Sequence, residues 1–273
     1  MFFADYHMHT SFSSDSDAPM ESMILAAISL GLKQIALTDH VDFDYPDVAF
    51  PFLIDYDEYL ETFSYYQNKY KDQIELLLGV EIGFQPHLKH EIADLVNKYP
   101  FDFIIGSTHV VDRADLYNGD FFKGKTQKNA YLRYFEDVLH SIRTFDEFNV
   151  YGHLDYIIRY GDYTNKVLSY KDYQNIIDEI LKALIHKGKG LEVNTSGHRY
   201  GLGQFHPQKA ILETYHGLGG EIITIGSDAH RPQDICACFH EAYKMLKDVG
   251  FKYVTIFKNQ KPEFISIESY TKN

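Results

Sequence analysis

The sequence of 273 residues contains no tryptophan and only two cysteines, Cys236 and Cys238. Two cysteines cannot build a disulfide framework, and their C-x-C spacing differs from the C-x-x-C of thiol redox proteins. We therefore expect reduced, mostly buried thiols. No apolar run approaches the roughly 20 residues that span a bilayer, and Asp5 precedes any apolar core of a signal peptide. These absences predict a cytoplasmic protein with no membrane partner.

Positive charge is also scarce. The sequence has 26 Lys and Arg against 39 Asp and Glu, which gives a formal net charge of −13. Proteins that bind nucleic acids usually carry a basic patch, so this balance predicts no nucleic-acid partner. A small phosphorylated substrate remains compatible with it, because bound divalent cations can invert the local field. The oligomeric state stays open.

What the sequence does contain is a repeated unit, in which a short apolar run precedes a segment of helical periodicity. The apolar runs lie at residues 2–9, 34–40, 74–82, 103–109, 149–155, 190–195 and 221–228. The helical segments lie at residues 20–30, 56–71, 88–98, 128–143, 170–186, 207–215 and 234–246. A small hairpin is predicted at residues 253–257 and 264–267.

Seven such units predict a single α/β domain over residues 1–273, with mostly parallel strands and helices outside them. The length suits one barrel, and the continuous apolar run at residues 76–80 suits burial on both faces. A closed or nearly closed (β/α)7 barrel is the first choice and an open doubly wound sheet the second. The aromatic residues of segment 56–71 recur at helical spacing, which predicts core packing.

Residue types that bind metals end nearly every predicted strand. They are His7, His9, His40, Glu81, His109, His153, Asp228 and His230. Barrel enzymes assemble their active sites at the C-terminal ends of the strands. Alternation along a strand puts residues i and i+2 on the same face, so each of the pairs His7/His9 and Asp228/His230 is predicted to reach one centre.

Each of these features is weak alone, since an H-x-H pair occurs by chance and a histidine at a strand end often belongs to the core. However, six of the 14 histidines fall at one predicted face. Imidazole and carboxylate ligands without thiolates suit Zn²⁺, Fe²⁺ or Mn²⁺. They are too many for one four-coordinate site, so we predict two or three metals, a bridging Glu81 and hydrolytic chemistry.

Taken together, the motifs resemble the polymerase and histidinol phosphatase (PHP) family. In family order they are His7-x-His9-Thr10, an acid at Asp15, Thr38-Asp39-His40, Gly79-Val80-Glu81, Gly106-Ser107-Thr108-His109, Gly152-His153 and Gly226-Ser227-Asp228-Ala229-His230. Segments 151–160 and 192–199 resemble its monofunctional histidinol-phosphatase branch. The resemblance implies a distorted (β/α)7 barrel with a trinuclear metal centre. It also implies hydrolysis of L-histidinol phosphate to L-histidinol and phosphate, a reaction of histidine biosynthesis.

The resemblance further implies how the ligands divide among three divalent ions, for which Zn, Fe and Mn are the candidates. The first set is His7, His9, Glu81 and Asp228. The second set is Glu81, His109 and His153. The third set is Asp15, His40 and His230, with Asp17 as the alternative to Asp15.

The mechanism implied by the resemblance is attack of a metal-bridging hydroxide on phosphorus. Arg159 and Arg199 are the candidates for binding the phosphoryl oxygens, because a guanidinium pairs with phosphate through two hydrogen bonds. Asp42 would donate a proton to the leaving alkoxide if its pKa were raised. Asp39 and Asp155 would orient ligand imidazoles, and the loops at residues 42–52 and 110–122 would select the substrate.

Three alternatives stay open. The first is a phosphatase or phosphodiesterase of this family that acts on nucleotides. The second is a metal-stabilised module without catalysis, against which the complete ligand set argues. The third is an amidohydrolase that cleaves C–N bonds, which typically needs a lysine where Glu81 stands.

Overall fold

The protein is described by a computed structural model that covers residues 3–47 and 51–269. Its strands are β1 (Ala4–Asp5), β2 (Gln34–Leu37), β3 (His40–Val41), β4 (Glu75–Gly83), β5 (Phe103–Ser107), β6 (Val110–Val111), β7 (Ala114–Asp115), β8 (Val150–Tyr151), β9 (Gly190–Asn194), β10 (Ile223–Gly226), β11 (Tyr253–Lys258) and β12 (Lys261–Ser266). Its helices are α1 (Met20–Ser29), α2 (Tyr56–Tyr70), α3 (Lys89–Lys98), α4 (Gln127–Thr144), α5 (Gln174–His186), α6 (Ser196–Arg199), α7 (Lys209–Gly217) and α8 (Phe239–Val249).

Seven parallel strands follow one another in the order β1-β2-β4-β5-β8-β9-β10, and β3 pairs with β4 beyond the end of β2. The segments that follow β1 and β10 bring the two edges together. The backbone N of Tyr6 donates to the carbonyl of Ile225 (3.1 Å), and the N of His9 donates to the carbonyl of Ala229 (2.8 Å). The sheet is therefore a nearly closed barrel, which confirms the predicted (β/α)7 fold over the open sheet.

The side chains inside the barrel change character along its axis. At the starts of the strands they form a small apolar cluster, which comprises Ala4, Tyr6, Ala36, Leu77, Phe103, Ile105 and Val150. Residues that point outward, such as Leu76, Leu78 and Val80 of β4, belong to the main core. Because inward positions alternate along a strand, Glu81 lies on the inner face with Leu77, nearer the C-terminal end. The interior is thus apolar at one end and polar at the other.

The predicted terminal hairpin is confirmed as β11 and β12, which pair in antiparallel fashion. It packs against the apolar end of the barrel, where the N of Phe257 donates to the hydroxyl of Tyr6 (2.7 Å) and the N of Ile223, at the start of β10, donates to the hydroxyl of Thr255 (3.0 Å). The hairpin covers this end and leaves the opposite, polar end accessible.

Helix α2 packs most of its aromatic residues as predicted, whereas Tyr65 is exposed. It begins after Asp55, whose carboxylate accepts hydrogen bonds from two backbone N–H groups of the first turn. Tyr56, Tyr59, Phe63 and Tyr70 are buried against the barrel. None of the described helices is long and apolar enough to cross a membrane.

Several predicted elements start or end elsewhere. Segment 234–246 becomes helical only at α8, because Cys236 (φ 57°) and Cys238 (φ 60°) adopt left-handed backbone that interrupts a helix. Both thiols are free, as expected. Of the predicted strand at residues 2–9, only β1 is regular. Met8 forms an isolated bridge with Ala229, and its carbonyl accepts a hydrogen bond from the N of Thr38 just after β2 (2.9 Å). Residue 2 lies outside the described residues.

Candidate metal centre

Glu81 lies at the centre of a group of buried histidines. Its side chain is 1% exposed, and its Oε2 lies 3.1 Å from Nε2 of His7 and 3.1 Å from Nδ1 of His40. Its Oε1 lies 2.8 Å from Nε2 of His153 and 3.3 Å from Nε2 of His109. Imidazoles thus surround both carboxylate oxygens, an arrangement that suits the bridging role predicted for Glu81.

The first predicted ligand set is assembled around His9. Ligand atoms of His7, His9 and Glu81 all lie within 4.8 Å of one another, and Oδ1 of Asp228 is 3.4 Å from Nε2 of His9. That nitrogen is buried and has no hydrogen-bond partner among the described residues. Burial and the neighbouring imidazoles lower the pKa of His9 to about 3. Its neutral, unpaired nitrogen suits metal coordination.

The second and third predicted sets are also brought together. Ligand atoms of Glu81, His109 and His153 lie within 4.8 Å of one another. In the third set, Oδ2 of Asp15 lies 3.1 Å from Nε2 of His230 and 3.6 Å from Nε2 of His40. Asp15 therefore adjoins both imidazoles of the third set, and the choice between Asp15 and Asp17 as ligand stays a prediction. His9 stacks on both imidazoles of the third set, with ring centroids 4.3 Å and 4.2 Å away, so the sets adjoin.

Asp42 is buried beside the second set. Its Oδ1 lies 2.8 Å from Nδ1 of His109, and its Oδ2 lies 3.6 Å from Nδ1 of His40. The carboxylate packs on Gly83 of β4, where a Cβ would lie 1.8 Å from Oδ1. Burial acts to raise the pKa of Asp42, but His109 and His40 outweigh it and lower the pKa. The carboxylate lies where it can orient His109, and its role as a proton donor stays a prediction.

Arg159 and Arg199 both lie beside Asp228 but differ in their partners. Nη2 of Arg159 donates to the hydroxyl of Ser196 (2.5 Å) and lies 3.7 Å from Oδ2 of Asp228. Its Nε is buried and has no hydrogen-bond partner within the described chain. Arg199 donates to the backbone carbonyls of Ser227 (3.2 Å) and Asp228 (2.6 Å). Arg159 therefore keeps a free donor, whereas Arg199 holds the loop that carries Asp228.

A cavity of about 800 Å³ opens above this cluster. Among the predicted site residues, its lining includes Asp15, His40, Asp42, Glu81, His109, His153, Arg159, Arg199, Asp228 and His230. His7 and His9 lie beneath it and are fully buried. Tyr45 and Phe52 reach it from the loop at residues 42–52, and Tyr117 reaches it from the loop at residues 110–122; residues 48–50 lie outside the described residues. The volume suits a small phosphoester.

Comparison with known proteins places this arrangement in a family. The sequence model of the PHP domain matches residues 5–196. The chain belongs to the PHP domain family. The histidinol-phosphatase of Lactococcus lactis subsp. lactis (strain IL1403) is 34% identical over 259 residues, which cover 94% of this chain and 95% of that protein. A probable histidinol-phosphatase of Clostridium acetobutylicum is 34% identical over 252 residues, which cover 92% and 95% of the two chains.

Solved structures agree with this assignment. The PHP domain superposes on histidinol phosphate phosphatase from Lactococcus lactis, crystallised with zinc, L-histidinol and phosphate. The TM-score is 0.90 at 33% identity, and the match covers 96% of this chain and 98% of that one. The putative histidinol phosphatase from Listeria monocytogenes, at 22% identity and a TM-score of 0.76, supports the fold alone.

Glu192 is a buried carboxylate of this PHP domain whose role was not predicted from the sequence. Oε1 of Glu192 lies 2.6 Å from Nδ1 of His7, and its Oε2 accepts hydrogen bonds from the N of His153 (3.0 Å) and the side chain of Asn194 (3.2 Å). A carboxylate behind a ligand imidazole fixes the tautomer and the direction of the ring. The detectable signal was alternation in β9, which puts Glu192 and Asn194 on the inner face.

The two carboxylates that were predicted to orient ligands have other partners. Asp39 acts on His9 indirectly, because Ser13 donates to Asp39 (2.8 Å) and its Oγ lies 3.2 Å from Nδ1 of His9. The prediction for Asp155 was wrong. Its carboxylate pairs with Nδ1 of His206 (2.6 Å), which is not in any predicted ligand set.

His7 and His9 lie on one face as strand alternation predicts, whereas Asp228 and His230 do not follow strand alternation. His7 and His9 both face Glu81, while Met8 packs into the outer core. Strand β10, in contrast, ends at Gly226, and Asp228 has φ 53°. Asp228 and His230 therefore reach the cluster from a loop, where strand periodicity does not apply.

Proposed function

We propose that the protein is a phosphomonoesterase that hydrolyses L-histidinol phosphate to L-histidinol and phosphate in the cytoplasm. The observation that carries this proposal is the cluster around Glu81, which underlies a cavity that also holds Arg159 and Arg199. It is supported by similarity over nearly the whole chain to the Lactococcus lactis protein, whose structure holds zinc, L-histidinol and phosphate.

The proposed cofactor is a set of three divalent cations held by the three predicted ligand sets. The donor atoms are imidazole nitrogens and carboxylate oxygens, which suit zinc and also iron or manganese. The unpaired Nε2 of His9, buried between Glu81 and Asp228, fits this assignment. When bound, such cations lower the pKa of a coordinated water and neutralise phosphoryl oxygens.

Arg159 and Arg199 contribute positive charge to the wall of the cavity. Arg159 lines the cavity and is 7% exposed on its side chain, so its guanidinium is placed to donate to a phosphoryl oxygen there. Arg199 contributes charge at the same wall while it holds the carbonyl of Asp228. A phosphate placed between the cluster and Arg159 would be bound from two sides.

The competing chemistries are less well supported by the same site. An amidohydrolase typically has a lysine at the metal bridge, but the described residues that line the cavity include no lysine. A module without catalysis usually lacks part of its ligand set, whereas every predicted ligand here lies within 4 Å of another.

The direct test is phosphate release by metal-loaded protein from L-histidinol phosphate and from a panel of nucleotide and sugar monophosphates. We expect clear preference for L-histidinol phosphate and loss of turnover after chelation and in Glu81→Gln. Equal turnover of all esters would reject the substrate but keep the phosphatase chemistry. Absence of turnover by protein that carries several metals per chain would reject both.

A further inference from the structure

The guanidinium of Arg159 is flanked by aromatic rings. Its Cζ lies 4.6 Å from the ring centroid of Tyr156 and 4.0 Å from that of Tyr200. Both distances fall within the range of cation–π attraction. Tyr156 belongs to the same short turn as Arg159, whereas Tyr200 comes from the loop after β9. Tyr200 therefore links the loop that follows β8 to the one that follows β9.

The same ring also contacts the second arginine. Cζ of Arg199 lies 5.6 Å from the centroid of Tyr200, which thus attracts both guanidinium groups at the wall of the cavity. Two nearby cations repel each other. An aromatic ring offsets part of that repulsion when its negative face attracts both cations. Tyr200 is 53% exposed, so burial explains little of its placement.

The backbone fixes the position of this ring. Helix α6 is a single turn, at the end of which the N of Tyr200 donates to the carbonyl of Ser196 (3.0 Å). Gly201 follows with φ 75°, a conformation that ends the turn and favours glycine. Ser196 of this turn also accepts the hydrogen bond from Arg159. One turn therefore presents a hydroxyl, a guanidinium and an aromatic ring to the same wall.

We propose that Tyr200 is a positioning residue that holds Arg159 and Arg199 ready for the phosphoryl group of the substrate. Long arginine side chains lose conformational freedom when they bind an anion, and a ring that restrains them beforehand lowers that cost. The proposal rests on the proposed phosphatase function, because it assumes that the phosphate of the substrate binds beside both arginines. It assigns no chemical step to the tyrosine hydroxyl.

The test compares Tyr200→Ala with Tyr200→Phe in the metal-loaded, full-length protein. Titration calorimetry with inorganic phosphate gives Kd without turnover, and steady-state kinetics give KM and kcat for L-histidinol phosphate. We expect Tyr200→Ala to raise Kd and KM by roughly three- to tenfold, which lies within the range of one cation–π contact, with kcat nearly unchanged. Tyr200→Phe should keep wild-type values, because it keeps the ring.

The matched control is Tyr65→Ala on α2. Tyr65 is 61% exposed and its ring lies 5.8 Å from Nζ of Lys69, but it is not among the residues that line the cavity. We expect no change in Kd or KM. An unchanged phosphate Kd in Tyr200→Ala would overturn the proposal, as would an equal loss in Tyr200→Phe or a loss of bound metal in Tyr200→Ala. If L-histidinol phosphate is not hydrolysed but phosphate binding depends on the ring, only the proposed function fails.

Discussion

Nδ1 of His7 lies 2.6 Å from Oε1 of Glu192, while Nε2 of the same ring lies 3.1 Å from Oε2 of Glu81. The imidazole is therefore held between two buried carboxylates. One of them belongs to the proposed metal bridge, and the other fixes the ring from behind. This arrangement makes Glu192 a residue whose contribution can be measured without changing a proposed ligand.

Replacing Glu192 by glutamine should weaken metal binding. The amide keeps the size of the side chain but loses the charge that orients His7. Loss of a carboxylate behind a ligand imidazole typically lowers metal affinity by about 10- to 100-fold. Competition with a chelator measures the effect. The control is Glu213→Gln on the exposed face of α7, which should bind metal like the wild type. Equal affinities in the two variants would exclude this role.

Asp42→Asn distinguishes orientation of His109 from proton donation. Asp42 pairs with Nδ1 of His109, and its pKa is lowered, so we expect reduced metal content and the same fractional loss of kcat with every ester. The measurement compares L-histidinol phosphate with 4-nitrophenyl phosphate, whose leaving group needs no protonation. A loss confined to L-histidinol phosphate, at full metal content, would instead support the proton-donor prediction.

The two arginines should respond differently to substitution by lysine. Arg159→Lys removes the planar fork and its free donor, so it should raise KM by roughly tenfold, as expected for a charged hydrogen bond, and leave metal content unchanged. Arg199→Lys loosens the loop at Asp228, so it should lower metal affinity as well. Steady-state kinetics combined with metal analysis separates the two effects. Identical behaviour of the variants would contradict this division of roles.

Metal loading should release protons. In the metal-free protein, burial of His40 opposes its charged form, but the carboxylates of Glu81 and Asp15 outweigh burial and raise the pKa of His40 to about 9. Below that pH a proton competes with the cation for the imidazole, so metal affinity should fall as the pH falls. Calorimetry at pH 7.5 in two buffers of different ionisation enthalpy counts the protons. Loading without release would contradict the raised pKa.

Much of the fold and site followed from the sequence for a physical reason. Parallel strands in a β/α barrel end at the same face, so ligand residues that end successive strands must converge there. Correct strand positions were enough to predict that three ligands converge, namely His40 in β3, Glu81 in β4 and His153 after β8. The apolar character of β4 was likewise enough to predict burial on both faces.

Other parts of the site depend on contacts that sequence spacing cannot reveal. Glu192 and His7 are 185 residues apart, and Asp42 and His109 are 67 apart. Their pairing depends on how the barrel closes and how each loop turns back over it. Tyr200 reaches Arg159 in the same way, from a different loop.

The sequence by itself determined which residue types end the strands, and hence the barrel and its metal-ligand chemistry, because strand periodicity and connection order are local properties. Only the tertiary structure decided which carboxylate supports which imidazole and how Asp228 enters the cluster. Those outcomes depend on side-chain distances of a few ångströms and on the left-handed backbone of Asp228 in a loop. No periodic pattern in the sequence specifies the distances or the backbone conformation.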